Sequence, residues 1–132
     1  MSNYDKKINI GLVGLGYLGQ FHLKHLMNLS QFNLKGIFDI NDDHGSKIAT
    51  KNKLSLFNNY NDLIQNVEAV CIATPTETHY ELAMEALNHN KHVFIEKPIC
   101  MSVSEAKKIL IKKNKHNKIV QIGHIERFNP AF

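Results

Sequence analysis

Residues 8–19 read Ile-Asn-Ile-Gly-Leu-Val-Gly-Leu-Gly-Tyr-Leu-Gly, and few backbone arrangements accommodate them. An apolar run over 8–13 meets Gly14-x-Gly16-x-x-Gly19 and passes into an amphipathic run, which is the order strand, tight turn, helix. A bound pyrophosphate requires that order. Gly14 permits the tight turn, Gly16 presents bare backbone to a phosphate, and Gly19 lets the helix lie close to the strand. The N–H groups and positive dipole end of that helix, with Tyr17 and Leu18 in its first turn, then face the phosphates.

A second apolar run over 34–38 ends in Asp39. This is about 20 residues past the last glycine, where a dinucleotide fingerprint places an acid. A carboxylate there accepts hydrogen bonds from both ribose hydroxyls and repels a 2′-phosphate, so NAD is expected rather than NADP.

The rest of the chain alternates. The patterns predict a helix over 17–29, a strand over 34–39 and a helix over 43–51, capped in Asn41-Asp42-Asp43. A short third strand over 54–57 and a helical turn over 61–64 follow. The nearly all-apolar strand over 67–73 is of the kind found in a sheet covered on both faces. A helix over 78–88, a strand over 92–96, a helix to 113 opened by the capping box Ser102-x-x-Glu105, and a strand over 119–122 complete the series. Short links between alternating strands and helices imply parallel strands and right-handed crossovers. The expected fold is α/β, a Rossmann doubly wound sheet of order 3-2-1-4-5-6 in three α/β/α layers. Its expected extent is 1–123, with 124–132 starting a connection onward.

Composition narrows the function classes. A chain of 132 residues, 43% hydrophobic and 21% charged, fits one soluble domain. No apolar run approaches the roughly 20 residues of a membrane span, and the N-terminus lacks a signal-peptide core, so a cytoplasmic protein is expected. Cys71 and Cys100 fall in or beside strands, as small core residues of a reducing compartment do. The net charge of +4 includes a lysine cluster over 107–118. No aromatic residues interleave with it, so it reads as a solvated helix face and not as a nucleic-acid site. His22 and His25 lie one turn apart without a third ligand, so surface histidines are expected there and no metal.

Ligands of such sheets lie beyond the carboxyl ends of the strands. Besides the glycine turn and Asp39, two stretches fall there: Ala73-Thr74-Pro75-Thr76 and Glu96-Lys97-Pro98. Thr74 and Thr76 can hydrogen-bond a ribose or pyrophosphate, or cap the following helix. Lys97, held by a proline at the end of a central strand, is placed to hold a substrate hydroxyl near a nicotinamide and help its proton leave as hydride moves. Glu96 and Lys97 are expected to point to opposite faces. His79 is expected as a cap or surface residue, and His124, Glu126 and Arg127 follow the last strand with no role set by spacing.

The set Gly14-x-Gly16-x-x-Gly19, Asp39, Ala73-Thr74-Pro75-Thr76-x-Thr78-His79 and Glu96-Lys97-Pro98 resembles the N-terminal domain of the Gfo/Idh/MocA oxidoreductases, which are sugar and cyclitol dehydrogenases. The similarity covers nearly the whole chain. The ending Gly123-His124-Ile125-Glu126-Arg127-Phe128-Asn129-Pro130 further resembles the branch of nucleotide-sugar 3-dehydrogenases acting on UDP-N-acetylglucosamine-like substrates. The resemblance implies that Gly14, Gly16, Gly19 and Asp39 bind NAD, and that Thr74 and Pro75 line the cofactor. It makes His79 the motif histidine, places Glu96 near the nicotinamide ribose, and makes Lys97 the active-site lysine. Arg127 and Asn129 lead toward the substrate side.

Family members also carry a second α/β domain with a catalytic histidine, and this sequence ends at Phe132, where that domain would begin. The expectation is one part of a sugar dehydrogenase, truncated or split, which needs a partner chain for activity. The alternative is a non-catalytic NAD-binding sensor module or an inactive remnant. Val93, Ile95, Ile119 and Phe128 are expected to leave apolar surface exposed, with self-association as the consequence.

Overall fold

The apolar run that opens the chain becomes β1 (Ile8–Val13), paired on one side with β2 (Phe32–Phe38) and on the other with β3 (Ala69–Ile72). A computed structural model describes residues 6–123 of the protein. β4 (His92–Glu96) and β5 (Val120–Gly123) extend the sheet, giving five parallel strands in the order β2-β1-β3-β4-β5. The links are α1 (Tyr17–Asn28), α2 (Asp42–Asn52), α3 (Tyr60–Gln65), α4 (His79–Asn88) and α5 (Val103–His116).

The expected third strand is reduced to a single bridge between Ile37 and Leu56. The Ile37 N–H donates to the Ser55 carbonyl at 3.0 Å, and the Phe57 N–H donates to the Ile37 carbonyl at 2.9 Å. The segment is held short between two helix ends: the Leu54 N–H donates to the Ala49 carbonyl of α2 at 2.9 Å, and Asn59 caps α3, its side chain accepting from the Asp62 N–H at 2.8 Å. The other five strands keep the expected order. The expected helix caps also form: Asn41 accepts from the His44 N–H at 3.0 Å, and Ser102 accepts from the Glu105 N–H at 3.1 Å.

The alternation along each strand sorts side chains to two faces. Val70, Val93 and Val120 align across the sheet, as do Ile72, Ile95 and Ile122. They face α3, α4 and α5, in a core that includes Leu63, Ile64, Leu87 and Ile109. Ile10, Leu12 and Cys71 face the other way, toward Leu23 and Leu26 of α1 and Ile48 of α2. Burying each such aliphatic side chain contributes about 1.5–3 kcal/mol.

On that second face α1 and α2 cover β2 and β1, and α1 reaches Cys71 of β3 and, through His22, the end of β4. Beyond this, toward β5 and the amino ends of β3 and β4, lies an open cleft of about 450 Å³ lined by Leu26, Leu29, His92, Phe94 and Ile119, with Cys71 at its floor. The expected exposed patch is corrected accordingly. Val93 and Ile95 are buried beneath α4 and α5, because their register places them on the covered side. Ile119 is 63% exposed as expected, and Phe128 lies outside the described residues.

Cys71 and Cys100 are buried and unpaired with each other. Burial, with the Glu96 charge as a second cause, pushes the Cys71 thiol far above its usual range, so it stays protonated. Among the described residues, no helix is long and apolar enough to cross a membrane, and no His/Cys/Asp/Glu group is arranged to hold a metal.

Candidate cofactor site at the carboxyl edge

The glycine turn forms because two of its three positions tolerate no side chain. Gly14 has φ +93°, and a Cβ there would sit 2.5 Å from the Ala73 carbonyl oxygen. A Cβ on Gly19 would run into the Gly14 carbonyl. Gly16 differs, because nothing in the protein lies within 4 Å of the position its Cβ would occupy. Sterics inside the fold do not require glycine there, and the backbone stands bare on that side.

Gly16 is also the N-cap of α1, with no side-chain cap and no acidic residue in the first turn. Tyr17, 89% exposed, and Leu18 flank the opening. The first-turn N–H groups of a helix lack intrahelical partners and carry the positive end of its dipole, so this end suits a phosphate.

Asp39 stands at the end of β2 beside the turn. Its Oδ2 accepts from the Leu15 N–H and its Oδ1 from the Asn41 N–H, both at 2.8 Å. The carboxylate is thereby oriented before any ligand arrives, and each oxygen retains a lone pair for a hydroxyl donor. The Leu15 carbonyl is held as well: Gln20 Nε2 donates to it at 3.1 Å, and His44 Nε2 donates to it at 2.6 Å. Sequence reading missed both Gln20 and His44. The only signal for His44 was its place in the first turn after Asp39.

On the next strand, the Ala73 N–H donates to the Val13 carbonyl at 2.8 Å, which seats Thr74 and Pro75 against the glycine turn. The Thr74 and Thr78 hydroxyls share a hydrogen bond of 2.6 Å, and Thr78 also approaches the Pro75 carbonyl at 2.7 Å. Thr76 opens a single 3-10 turn ahead of α4. No side chain caps α4, so the helix-capping alternative for Thr74 and Thr76 is not realised.

His79 is not a surface residue or a cap; it is 1% exposed. Its Nδ1 lies 2.9 Å from the Pro98 carbonyl and its Nε2 lies 2.9 Å from the Thr74 carbonyl. The spacing could not show this, because Pro98 reaches His79 only through the packing of β4 beside β3. The ring thus joins the Thr74 loop to the Lys97 loop.

Glu96 ends β4 with its side chain on the α1 side of the sheet, where it is 5% exposed and bonded to His22 Nε2. His22 is therefore half-buried and engaged, not the surface histidine expected, whereas His25 is exposed. The His22 ring also meets Phe94 edge-on, with centroids 5.3 Å apart. Lys97 is exposed beyond the strand end, and the Lys97-Pro98 bond is cis. Arg127, Asn129, His124 and Glu126 lie outside the described residues.

The fold therefore gathers the glycine turn, Asp39, the Thr74–Pro75 segment and Glu96-Lys97-Pro98 at one edge of the sheet. The family model GFO_IDH_MocA, described as an oxidoreductase family with an NAD-binding Rossmann fold, matches residues 8–124. UDP-N-acetylglucosamine 3-dehydrogenase of Acidithiobacillus ferrooxidans is 35% identical over 92% of this chain and 38% of its own length. Inositol 2-dehydrogenase of Salmonella typhimurium is 32% identical over 95% of this chain and 39% of its own. The solved structure of the Acidithiobacillus enzyme superposes with a TM-score of 0.88 at 33% identity, covering 96% of this chain and 41% of that one. Apo scyllo-inositol dehydrogenase from Lactobacillus casei gives 0.87 at 28% identity, covering 96% and 39%. The chain spans about two-fifths of the length of the relatives it matches.

Proposed function

The chain belongs to the Gfo/Idh/MocA oxidoreductase family, as its NAD-binding Rossmann domain, and on that premise we propose that it is the cofactor-holding part of a sugar or nucleotide-sugar dehydrogenase. The observation that carries this reading is the uncapped N-terminus of α1, open at Gly16, beside an Asp39 carboxylate already oriented by two amides. The remaining length found in the relatives would supply the substrate floor, in the same polypeptide or in a partner.

The residues present fit NAD. The first turn of α1 receives the pyrophosphate, Asp39 accepts from the adenosine ribose hydroxyls, and Thr74 and Pro75 line the path toward the nicotinamide. Asp39 also repels a 2′-phosphate, which favours NAD over NADP. The bound cofactor supplies hydride exchange with a sugar carbon. Lys97 Nζ donates to the substrate hydroxyl oxygen and stabilises the negative charge that develops there as its proton passes to a general base supplied with the substrate floor. Arg127 and Asn129 belong to the substrate side in this reading.

Calorimetric titration with NADH and then NADPH tests it. Selective NADH binding is expected. Gly16→Ala should weaken it about tenfold or more without lowering the melting temperature, because the new methyl meets only the ligand. Asp39→Ser should erase the preference for NADH. Equal affinity for both cofactors in the parent chain, or unchanged NADH affinity in both variants, would overturn the assignment.

A further inference from the structure

Lys97 is flanked by two residues that are each held from inside the protein by a histidine. The residue before it, Glu96, is a buried carboxylate bonded to His22 of α1. The residue after it, Pro98, has its carbonyl 2.9 Å from His79 Nδ1 at the start of α4. These contacts span 74 and 19 residues of sequence. We propose that His22 and His79 form a two-sided brace that positions Lys97 relative to the cofactor-binding segments. The proposal rests on the reading of Lys97 as the residue that holds the substrate hydroxyl.

The two histidines sit on particular helices. α1 is the helix whose first turn faces the pyrophosphate, and its second turn supplies His22. α4 follows the Thr74 loop, and the His79 ring sits between two acceptors, Nε2 2.9 Å from the Thr74 carbonyl and Nδ1 2.9 Å from the Pro98 carbonyl, donating to one of them as a neutral ring and to both as an imidazolium. The Glu96-Lys97-Pro98 segment is thus tied to both walls of the crevice. Both ties act on the residues flanking Lys97, so the backbone that carries its side chain is held on either side.

Each tie is costly to break. A buried carboxylate without a partner is strongly disfavoured, so loss of His22 drives Glu96 toward water and turns the end of β4 with it. The Pro98 carbonyl, part-buried against His79, loses that contact when the ring nitrogen is removed, and the loop after Lys97 loses its tie to α4. Reacting groups displaced by about 1 Å lose much of their rate, so a brace at this point acts on chemistry without touching substrate.

The test is hydrogen exchange and lysine NMR on the full chain. His22→Phe and His79→Phe remove the ring nitrogens and keep an aromatic of similar size. His22→Gln and His79→Gln keep a donor, and Glu96→Gln weakens the first tie with little change of shape. Exchange at the Glu96 and Lys97 amides should rise about tenfold or more in each Phe variant, while Leu12 and Val70 at the sheet centre stay within about twofold. The Gln variants of the histidines should recover most of the protection. The ¹³C-methylated Lys97 Nζ signal, assigned with Lys97→Arg, should shift on NADH addition in the parent chain and lose that response in the Phe variants.

Phe variants that fold with parental exchange at Glu96 and Lys97 would overturn the brace. So would a loss of protection spread evenly over the sheet, which marks a merely structural role. Where a Phe variant does not fold, Glu96→Gln and the Gln variants carry the same exchange readout. Absence of NADH binding by the parent chain would remove the cofactor reading, and the exchange comparison would still decide the brace.

Discussion

The two faces of the sheet are finished to different degrees. On one, α3, α4 and α5 cover strand residues Val70, Ile72, Val93 and Ile95, all of them buried. On the other, α1 reaches only Cys71 of β3 and the end of β4, and Phe94, His92 and Ile119 line an open cleft. Adjacent residues of the same strand therefore differ in cover, Ile95 fully buried and Phe94 half-buried. The covered face holds the domain together. The open face, which touches the His22–Glu96 pair at its upper end, leaves apolar surface for another body to cover.

The largest expected effect comes from truncating each face at β4. Ile95→Ala should destabilise the chain by about 2–5 kcal/mol, as expected of a fully buried aliphatic residue. Phe94→Ala, on the open side, should lose less than half as much despite removing a larger side chain. Urea unfolding of the two variants compares them, and equal losses would show that the cleft is closed in solution.

A smaller effect is tied to pH. His92 lines the cleft, and its Nδ1 accepts from the Ile119 N–H at 3.1 Å. Desolvation lowers its pKa below the usual value, Lys118 adds to this, and Glu68 opposes it. The folded state therefore binds a proton there less readily than the unfolded chain. Stability gained through this site is present above the ordinary histidine range, near pH 6.5, and falls as pH drops toward the lowered folded value. Glu68, whose pKa is lowered first by its bond from the Asn9 amide, adds a loss at still more acidic pH. Melting curves between pH 8 and pH 5 should show a decline that His92→Asn reduces; an identical decline in that variant would remove His92 as its source.

The smallest effect on stability should come from Ile119→Ser, within about 0.5 kcal/mol for an exposed position. Its consequence is expected in association instead. Sedimentation velocity at rising concentration should show less self-association than in the parent chain. A parent chain that stays monomeric throughout would show that the open face does not pair with a second copy.

Much of the cofactor edge was legible before the fold was seen. Gly14-x-Gly16-x-x-Gly19, Asp39 and the two proline motifs are local patterns, and local spacing fixes which strand end each occupies. The strand order followed from alternation and short links, apart from 54–57, where apolar residues promised a strand and only the Ile37–Leu56 bridge formed. The roles of His22, His44 and His79 were not legible. A histidine's partner is set by which elements become neighbours, and Glu96, Leu15 and Pro98 reach these rings only after the sheet assembles. The open cleft escaped for a related reason. Both faces of a parallel strand read as apolar, so the sequence by itself determined a sheet with a dinucleotide edge, and only the tertiary placement of the helices decided which face is covered.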